Sequence, residues 1–155
     1  MDKNKQFLLY ILSKLHKTNI TTIVKMAYFC DLSSVKGVNN QITSYEYIRF
    51  YYGPYSEEIK HDIDSLIETK LINLHVYETG DGKDFYEYEY INKEIDFNLL
   101  SQKETSLMDE IILDLSKLNA RQLGLLSYET APMKILNATP GGNEHLGQVL
   151  NLHAV

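Results

Sequence analysis

Residues 45–59, YEYIRFYYGPYSEEI, join two different kinds of structure. Before Gly53 the run is aromatic and β-branched, which is typical of an extended segment, and after Pro54 the apolar residues recur at helical spacing. Proline suits the first turn of a helix, where its missing N–H would have no partner, and Ser56 is an alternative cap. We interpret Gly53 and Pro54 as a structural hinge between an aromatic arm and a helix over about residues 55–70.

Apolar periodicity predicts helices on both sides of this hinge. A helix over residues 5–16 has one apolar stripe, whereas the next, capped by Thr21 or Thr22, is apolar almost all round and should be buried on most sides. A turn-rich loop follows at residues 37–40. Near the C-terminus, the capping-box spacing of residues 101–104 predicts a helix, and a shorter helix should run from about 119 to 128.

The segment after the hinge helix predicts a β-hairpin. Residues 71–77 and 85–91 alternate between apolar and polar positions around the glycine-containing turn 80–82. A helix leading directly into a hairpin is typical of winged-helix proteins. We therefore expect a mainly helical, winged-helix-like α+β fold, with one domain over residues 1–155 and a C-terminal tail, 140–155, whose apolar residues are compatible with a small docked helix.

Taken in order, several short motifs resemble the SocA-like Panacea family. They are the Lys25–Asp31 helix motif KMAYFCD, the QIT of residues 41–43, the Tyr-Gly-Pro turn and the Leu-Ile pair at 71–72. The resemblance covers about residues 23–72, and more loosely 125–133. It implies an antitoxin-type module, often on mobile elements, that neutralises a toxin encoded beside it by direct contact or by delivery to a protease. Ala131 stands where the family often has histidine.

Composition indicates a globular protein. The chain of 155 residues is 44% hydrophobic and 23% charged, with a formal net charge of −6, and it has no apolar run long enough to cross a bilayer. The first residues lack the features of a secretory signal, and the single cysteine, Cys30, has no disulfide partner in the chain. We expect a cytoplasmic protein with no membrane association, in which Cys30 is a buried, unreactive core residue.

No residue pattern points to catalysis. No phosphate-binding glycine loop follows a strand, and the five histidines are not paired at the spacing of metal ligands. The carboxylates of residues 57–64 lie on a predicted exposed helix face, where acid–base chemistry is not supported. We predict no metal, no cofactor and no enzymatic activity.

Charge weighs against DNA binding by the winged helix. The predicted recognition helix and wing are both acidic, whereas DNA-binding surfaces gain affinity from lysine and arginine. Residues 1–40 hold six lysines against two aspartates, however, and such an excess of positive charge can mark a binding surface. The alternative function is therefore a DNA-binding transcriptional regulator in which this basic segment meets the phosphates.

The aromatic arm is the predicted partner-binding surface. Its five tyrosines between residues 45 and 55 cannot all be buried with satisfied hydroxyls, and tyrosine and arginine are enriched at the centres of protein interfaces. We assign the partner contact to Arg49, Tyr51, Tyr55 and Glu58. The alternative is that alternate residues of the arm simply form one core face and one solvated face.

Overall fold

A computed structural model describes residues 1–91 and 94–155 of the chain and confirms the mainly helical α+β fold. Within these residues the elements are α1 (Lys3–Leu15), β1 (Lys17–Thr18), α2 (Ile20–Val38), β2 (Ile48–Phe50), β3 (Gly53–Tyr55), α3 (Glu57–Glu68), β4 (Ile72–Glu78), β5 (Asp84–Tyr90), α4 (Gln102–Leu115), α5 (Ala120–Ser127) and α6 (Ala131–Lys134).

The first half of the chain has the connection order of a winged helix. The predicted hairpin is confirmed as β4 and β5, and the short β1 pairs with β5, so the sheet order is β1-β5-β4. Helix α3 leads directly into β4, and both α1 and α2 precede it. The aromatic arm is an insertion between α2 and α3 that forms its own two-stranded hairpin, β2-β3.

Helix α2 forms the centre of the core and is buried along most of its length, as its nearly continuous apolar sequence predicts. It begins earlier than expected because the side chain of Asn19, rather than Thr21 or Thr22, accepts the capping hydrogen bond, from the Thr22 amide at 2.8 Å. It also continues through Gly37 and Val38, so the predicted loop starts later. Cys30 is fully buried, as predicted, and burial raises the pKa of its thiol well above the usual value.

The change from strand to helix falls at Ser56, not at Gly53 and Pro54. Gly53 has φ of 107°, which is a conformation that suits glycine, and it follows the Tyr51–Tyr52 turn. Pro54 lies in β3, opposite Arg49, and α3 begins at Glu57. The interpretation of Pro54 as part of the first helical turn is therefore wrong, because the chain first completes a hairpin.

The C-terminal tail consists of turns and one β-bridge, between Val149 and Ile48, and does not form the small helix that its apolar residues suggested. Residues 147–150 run along the outer edge of β2, where the Arg49 amide donates to the Gln148 carbonyl oxygen and the Leu150 amide donates to the Tyr47 carbonyl oxygen, both at 2.8 Å. Positive φ angles at residues 141, 145 and 147 are incompatible with a continuous helix. The tail thus adds a third, irregular strand beside the aromatic arm.

Candidate protein interaction surface

The β2-β3 hairpin, residues 48–55, carries an exposed aromatic turn; we call it the aromatic hairpin. Alternation along the arm places Tyr47 and Arg49 towards the core and Phe50 outwards. At the turn itself, Tyr51 is 52% exposed and Tyr52 is 79% exposed. The arm therefore has a core face and an outer face, and its large exposed side chains are concentrated at the tip.

Arg49, which we assigned to the partner contact from the sequence, has a fully buried side chain, with 0% exposure. The guanidinium donates from Nε to the Glu144 carbonyl oxygen at 3.1 Å, and from Nη2 to the carbonyl oxygens of Thr139 and Gly142 at 3.1 and 3.0 Å. It also lies 3.5 Å from the Glu144 carboxylate. Arg49 thus holds the C-terminal tail and is not available to a partner in this conformation.

Of the other predicted contacts, Tyr51 and Tyr55 belong to one aromatic cluster. The Phe50 ring lies 5.0 Å from the Tyr51 ring and 5.2 Å from the Tyr55 ring, measured between centroids. Sequence reasoning missed Phe50, although its place at the start of the aromatic run Phe50-Tyr51-Tyr52 was a signal. Glu58 is exposed on α3, where its carboxylate accepts a hydrogen bond from the Glu46 amide at 3.1 Å, and it lies outside this cluster.

Buried polar side chains hold the aromatic hairpin in place from beneath. The Tyr128 hydroxyl donates to the Tyr51 carbonyl oxygen at 3.2 Å and accepts from Arg49 Nη1 at 3.1 Å. The same Nη1 donates to the Phe50 carbonyl oxygen. On the other strand, Lys25 Nζ donates to the Pro54 carbonyl oxygen at 2.6 Å. The turn is therefore preorganised, which lowers the ordering cost of binding a partner.

Two clefts have Tyr52 as a lining residue. The larger, about 470 Å³, lies between the Tyr51–Tyr52 turn and α5, and we call it the α5 cleft. The smaller, about 150 Å³, lies between the first turns of α2 and strand β3, and we call it the Lys25 cleft. Thr21 and Tyr52 line both clefts, so the two are neighbours.

Lys25 is a buried cation, and its ammonium donates a hydrogen bond to a neutral group, the Pro54 carbonyl oxygen. The residue is 4% exposed, and burial lowers the pKa of its ammonium from 10.5 to about 8. A shift of this size corresponds to about 3 kcal/mol against the charged form at neutral pH. The sequence indicates that Lys25 is unusual, because it is a lysine inside an almost wholly apolar helix. It does not show which groups surround the Lys25 ammonium.

Asp31, two turns further along α2, shapes the loop that leads into the aromatic hairpin. Its Oδ1 accepts from the amides of Ile42 and Thr43, both at 3.1 Å, and its Oδ2 accepts from the hydroxyls of Thr43 and Tyr47 at 2.6 and 2.8 Å. Burial raises the pKa of this carboxyl, and the donated hydrogen bonds oppose that effect. The carboxylate therefore fixes both the loop and the buried Tyr47.

The positive charge of the N-terminal segment is largely neutralised by the fold. Four of its six lysines lie within 4.0 Å of a carboxylate, in the pairs Lys3–Glu104, Lys5–Asp62, Lys14–Asp109 and Lys17–Glu87. A fifth, Lys25, is buried. The exposed face of α3, by contrast, is rich in carboxylates, including Glu57, Glu58 and Asp64.

The described residues show no constellation that would hold a metal ion: none of their His, Cys, Asp and Glu side chains form a group of three or more in suitable positions. None of the helices among residues 1–91 and 94–155 is long and apolar enough to span a membrane. The arrangement of exposed aromatic rings over a rigid, hydrogen-bonded base is instead suited to binding another macromolecule.

Comparison with known proteins identifies a family. The family model described as "Antitoxin SocA-like, Panacea domain" matches residues 23–132 of the 155. The matched region includes most of α2, the aromatic hairpin, the β4-β5 hairpin, which we call the winged-helix hairpin, and α5, and it ends just after Ala131. No curated protein and no solved structure gives a significant match.

Proposed function

The chain belongs to the antitoxin SocA-like, Panacea domain family, and we propose that it is an antitoxin-type module that neutralises a protein toxin by binding it through the aromatic hairpin. The observation that supports this proposal most strongly is the preorganised aromatic turn, in which Tyr51 and Tyr52 are exposed above a buried hydrogen-bonded base. Exposed tyrosines on a rigid support are typical of the centres of protein interfaces.

The charge distribution favours a protein partner with a basic surface. The chain has a net charge of −6, and the exposed carboxylates of α3 follow the aromatic hairpin directly in the chain. Such a surface attracts a basic partner over several ångströms and raises the rate of association. The aromatic hairpin then supplies the contact area that keeps the partner bound.

The test is a rescue experiment with the toxin encoded beside this gene. We expect the double variant Tyr51→Ser, Tyr52→Ser to lose rescue of toxin-expressing cells and to lose co-purification with the toxin, because two exposed rings at the contact are removed. The matched control is Tyr77→Ser, Tyr86→Ser, which removes two exposed tyrosines from the winged-helix hairpin. This control should rescue fully, and both variants should melt within a few degrees of the parent.

A folded Tyr51→Ser, Tyr52→Ser variant that still rescues and still binds the toxin would show that the binding surface lies elsewhere. Toxin abundance separates the two modes of neutralisation. Direct contact predicts an inactive toxin at unchanged abundance, whereas delivery to a protease predicts toxin loss that stops when the protease gene is deleted. In either mode we expect the same tyrosine variant to fail.

The winged-helix order of elements favours a second candidate function, DNA-dependent regulation. The charges of the protein do not support DNA binding. The exposed face of α3 is acidic, and Lys3, Lys14 and Lys17 are paired with carboxylates. We expect no sub-micromolar binding to double-stranded DNA at physiological salt, measured by fluorescence anisotropy. Tight binding that weakens steeply with added salt would favour the regulator instead.

A further inference from the structure

We propose that the Lys25 cleft and the α5 cleft together bind one segment of the protein partner, in which an acidic side chain lies next to an aromatic side chain. The carboxylate enters the Lys25 cleft and the aromatic ring enters the α5 cleft. This inference rests on the proposed function, since it describes what a protein partner presents to the aromatic hairpin.

The lining of the two clefts differs from the rest of the surface in charge. Their charged lining residues are Lys25 and Arg121, and no aspartate or glutamate is among the residues that line either cleft. In a chain with a net charge of −6, this is a local cationic site inside an acidic surface. Charge complementarity therefore selects an anionic group for the centre of the contact, even in a partner that is basic overall.

The Lys25 ammonium is the reason to expect that the Lys25 cleft binds a carboxylate. Its ammonium has three N–H donors, and the described hydrogen bond, to the Pro54 carbonyl oxygen, uses one of them. Burial lowers the pKa of this group to about 8, so the ammonium is still charged at neutral pH but is less stable there than it would be in water. A carboxylate that enters the cleft would accept a charge-assisted hydrogen bond and offset that cost at the moment of binding.

The shape and lining of the α5 cleft are the reason to expect an aromatic side chain beside the acidic one in the partner segment. Tyr52, Leu125 and Tyr128 give it largely apolar walls, and Gly124 keeps its floor free of a side chain. At about 470 Å³ it has room for a ring. The exposed Arg121 lies among its lining residues, where a guanidinium can stack on an aromatic face.

One segment can reach both clefts because they share two walls. Thr21 and Tyr52 line each of them, so the two occupants would be neighbours beside Tyr52. Adjacent side chains of one short peptide can therefore enter these neighbouring clefts. The same geometry explains why Tyr52, the most exposed of the arm's tyrosines, should be sensitive to substitution.

The probes are blocked tetrapeptides, acetylated and amidated, that contain Glu-Phe or Phe-Glu between alanines, with the Gln-Phe and Phe-Gln peptides as controls. We expect at least one glutamate peptide to bind the full-length protein with Kd below about 1 mM by calorimetry or NMR titration. Its glutamine counterpart should bind at least about tenfold more weakly. Lys25→Met should remove this preference for glutamate, and Gly124→Leu, which fills the α5 cleft on a helix, should weaken every peptide.

Equal binding of the glutamate and glutamine peptides, or no binding of either, would overturn the inference, as would a Lys25→Met protein that melts like the parent yet keeps the preference. A further control is the Gln-Phe peptide made without the C-terminal amide; if it alone binds, the inference is also overturned, because the carboxylate would then come from a chain end. If Lys25→Met rescues cells from the toxin while Tyr51→Ser, Tyr52→Ser does not, the proposed function stands and this inference falls.

Discussion

Replacing Arg49 by methionine is expected to lower the free energy of unfolding by about 3–5 kcal/mol and to release the C-terminal tail. Methionine keeps most of the length of the side chain but none of its donors. The carbonyl oxygens of Thr139, Gly142 and Glu144 then lose their hydrogen bonds to the guanidinium, and Tyr128 loses one of the two groups that hold it under the turn. An unpaired buried polar group costs about 1–3 kcal/mol.

Chemical denaturation measures the stability change, and a glutamate-specific protease measures the release of the tail. Cleavage after Glu144 should become much faster in Arg49→Met, because this residue is held against Arg49 in the parent. Arg121→Met is the matched control, since Arg121 is exposed, and it should change stability by less than about 0.5 kcal/mol. Unchanged stability and unchanged cleavage in Arg49→Met would show that the tail is held by its backbone pairing with β2 alone.

This result would also change how partner-binding experiments on Arg49 are interpreted. A loss of toxin rescue in an Arg49 variant would follow from a displaced tail and a loosened aromatic hairpin, without any contact between Arg49 and the toxin. Variants at Tyr51 and Tyr52 avoid this difficulty, because their side chains are exposed and the supporting hydrogen bond is made by the Tyr51 backbone.

Local sequence signals predicted the elements that depend on local physics. The capping box at Ser101 and Glu104 is present at the start of α4, and the glycine-containing turn joins β4 to β5. Each of these features depends on residues that are close together in the chain, so it can be predicted from a single sequence. The family resemblance rested on the order of several short motifs, and the family match over residues 23–132 confirms the resemblance.

Long-range pairing explains the predictions that failed. Whether Arg49 is exposed depends on residues 139–144, about 90 positions away, and nothing in the arm indicates that partner. Alternation did place Arg49 on the same side as the buried Tyr47, which was the available signal. The apolar residues of the tail are compatible with a small docked helix, but the open edge of β2 offers the backbone hydrogen bonds that the tail uses instead.

The sequence indicates that Lys25 and Asp31 are unusual, but it does not show what each of them does. Both are charged residues inside a helix that is otherwise apolar, which signals a special role. Only the structure separates the two roles: Asp31 is surrounded by donors from one loop, whereas Lys25 faces a neutral carbonyl group beside an open cleft. The first arrangement stabilises the fold, and the second leaves capacity for a ligand.

Replacing Asp31 by alanine is expected to lower the free energy of unfolding by about 3–5 kcal/mol, a large part of the 5–15 kcal/mol typical of a domain. The substitution leaves buried donors without an acceptor, namely the amides of Ile42 and Thr43 and the hydroxyls of Thr43 and Tyr47. Because these groups lead into the aromatic hairpin, we also expect Tyr51 and Tyr52 to become less ordered, which hydrogen exchange of the 42–52 amides would detect.

Graded variants test whether the carboxylate itself is responsible. Asp31→Asn keeps one acceptor oxygen for the two amides, so it should cost less than Asp31→Ala, and Tyr47→Phe removes a single donor and should cost about 1 kcal/mol. Asp64→Ala is the surface control, because its partner Lys60 is a near neighbour on α3, and it should cost no more than about 1 kcal/mol. If Asp31→Ala were no more destabilising than Asp64→Ala, the loop would be held by apolar packing around Ile42 and Tyr47, and the carboxylate would have no structural role.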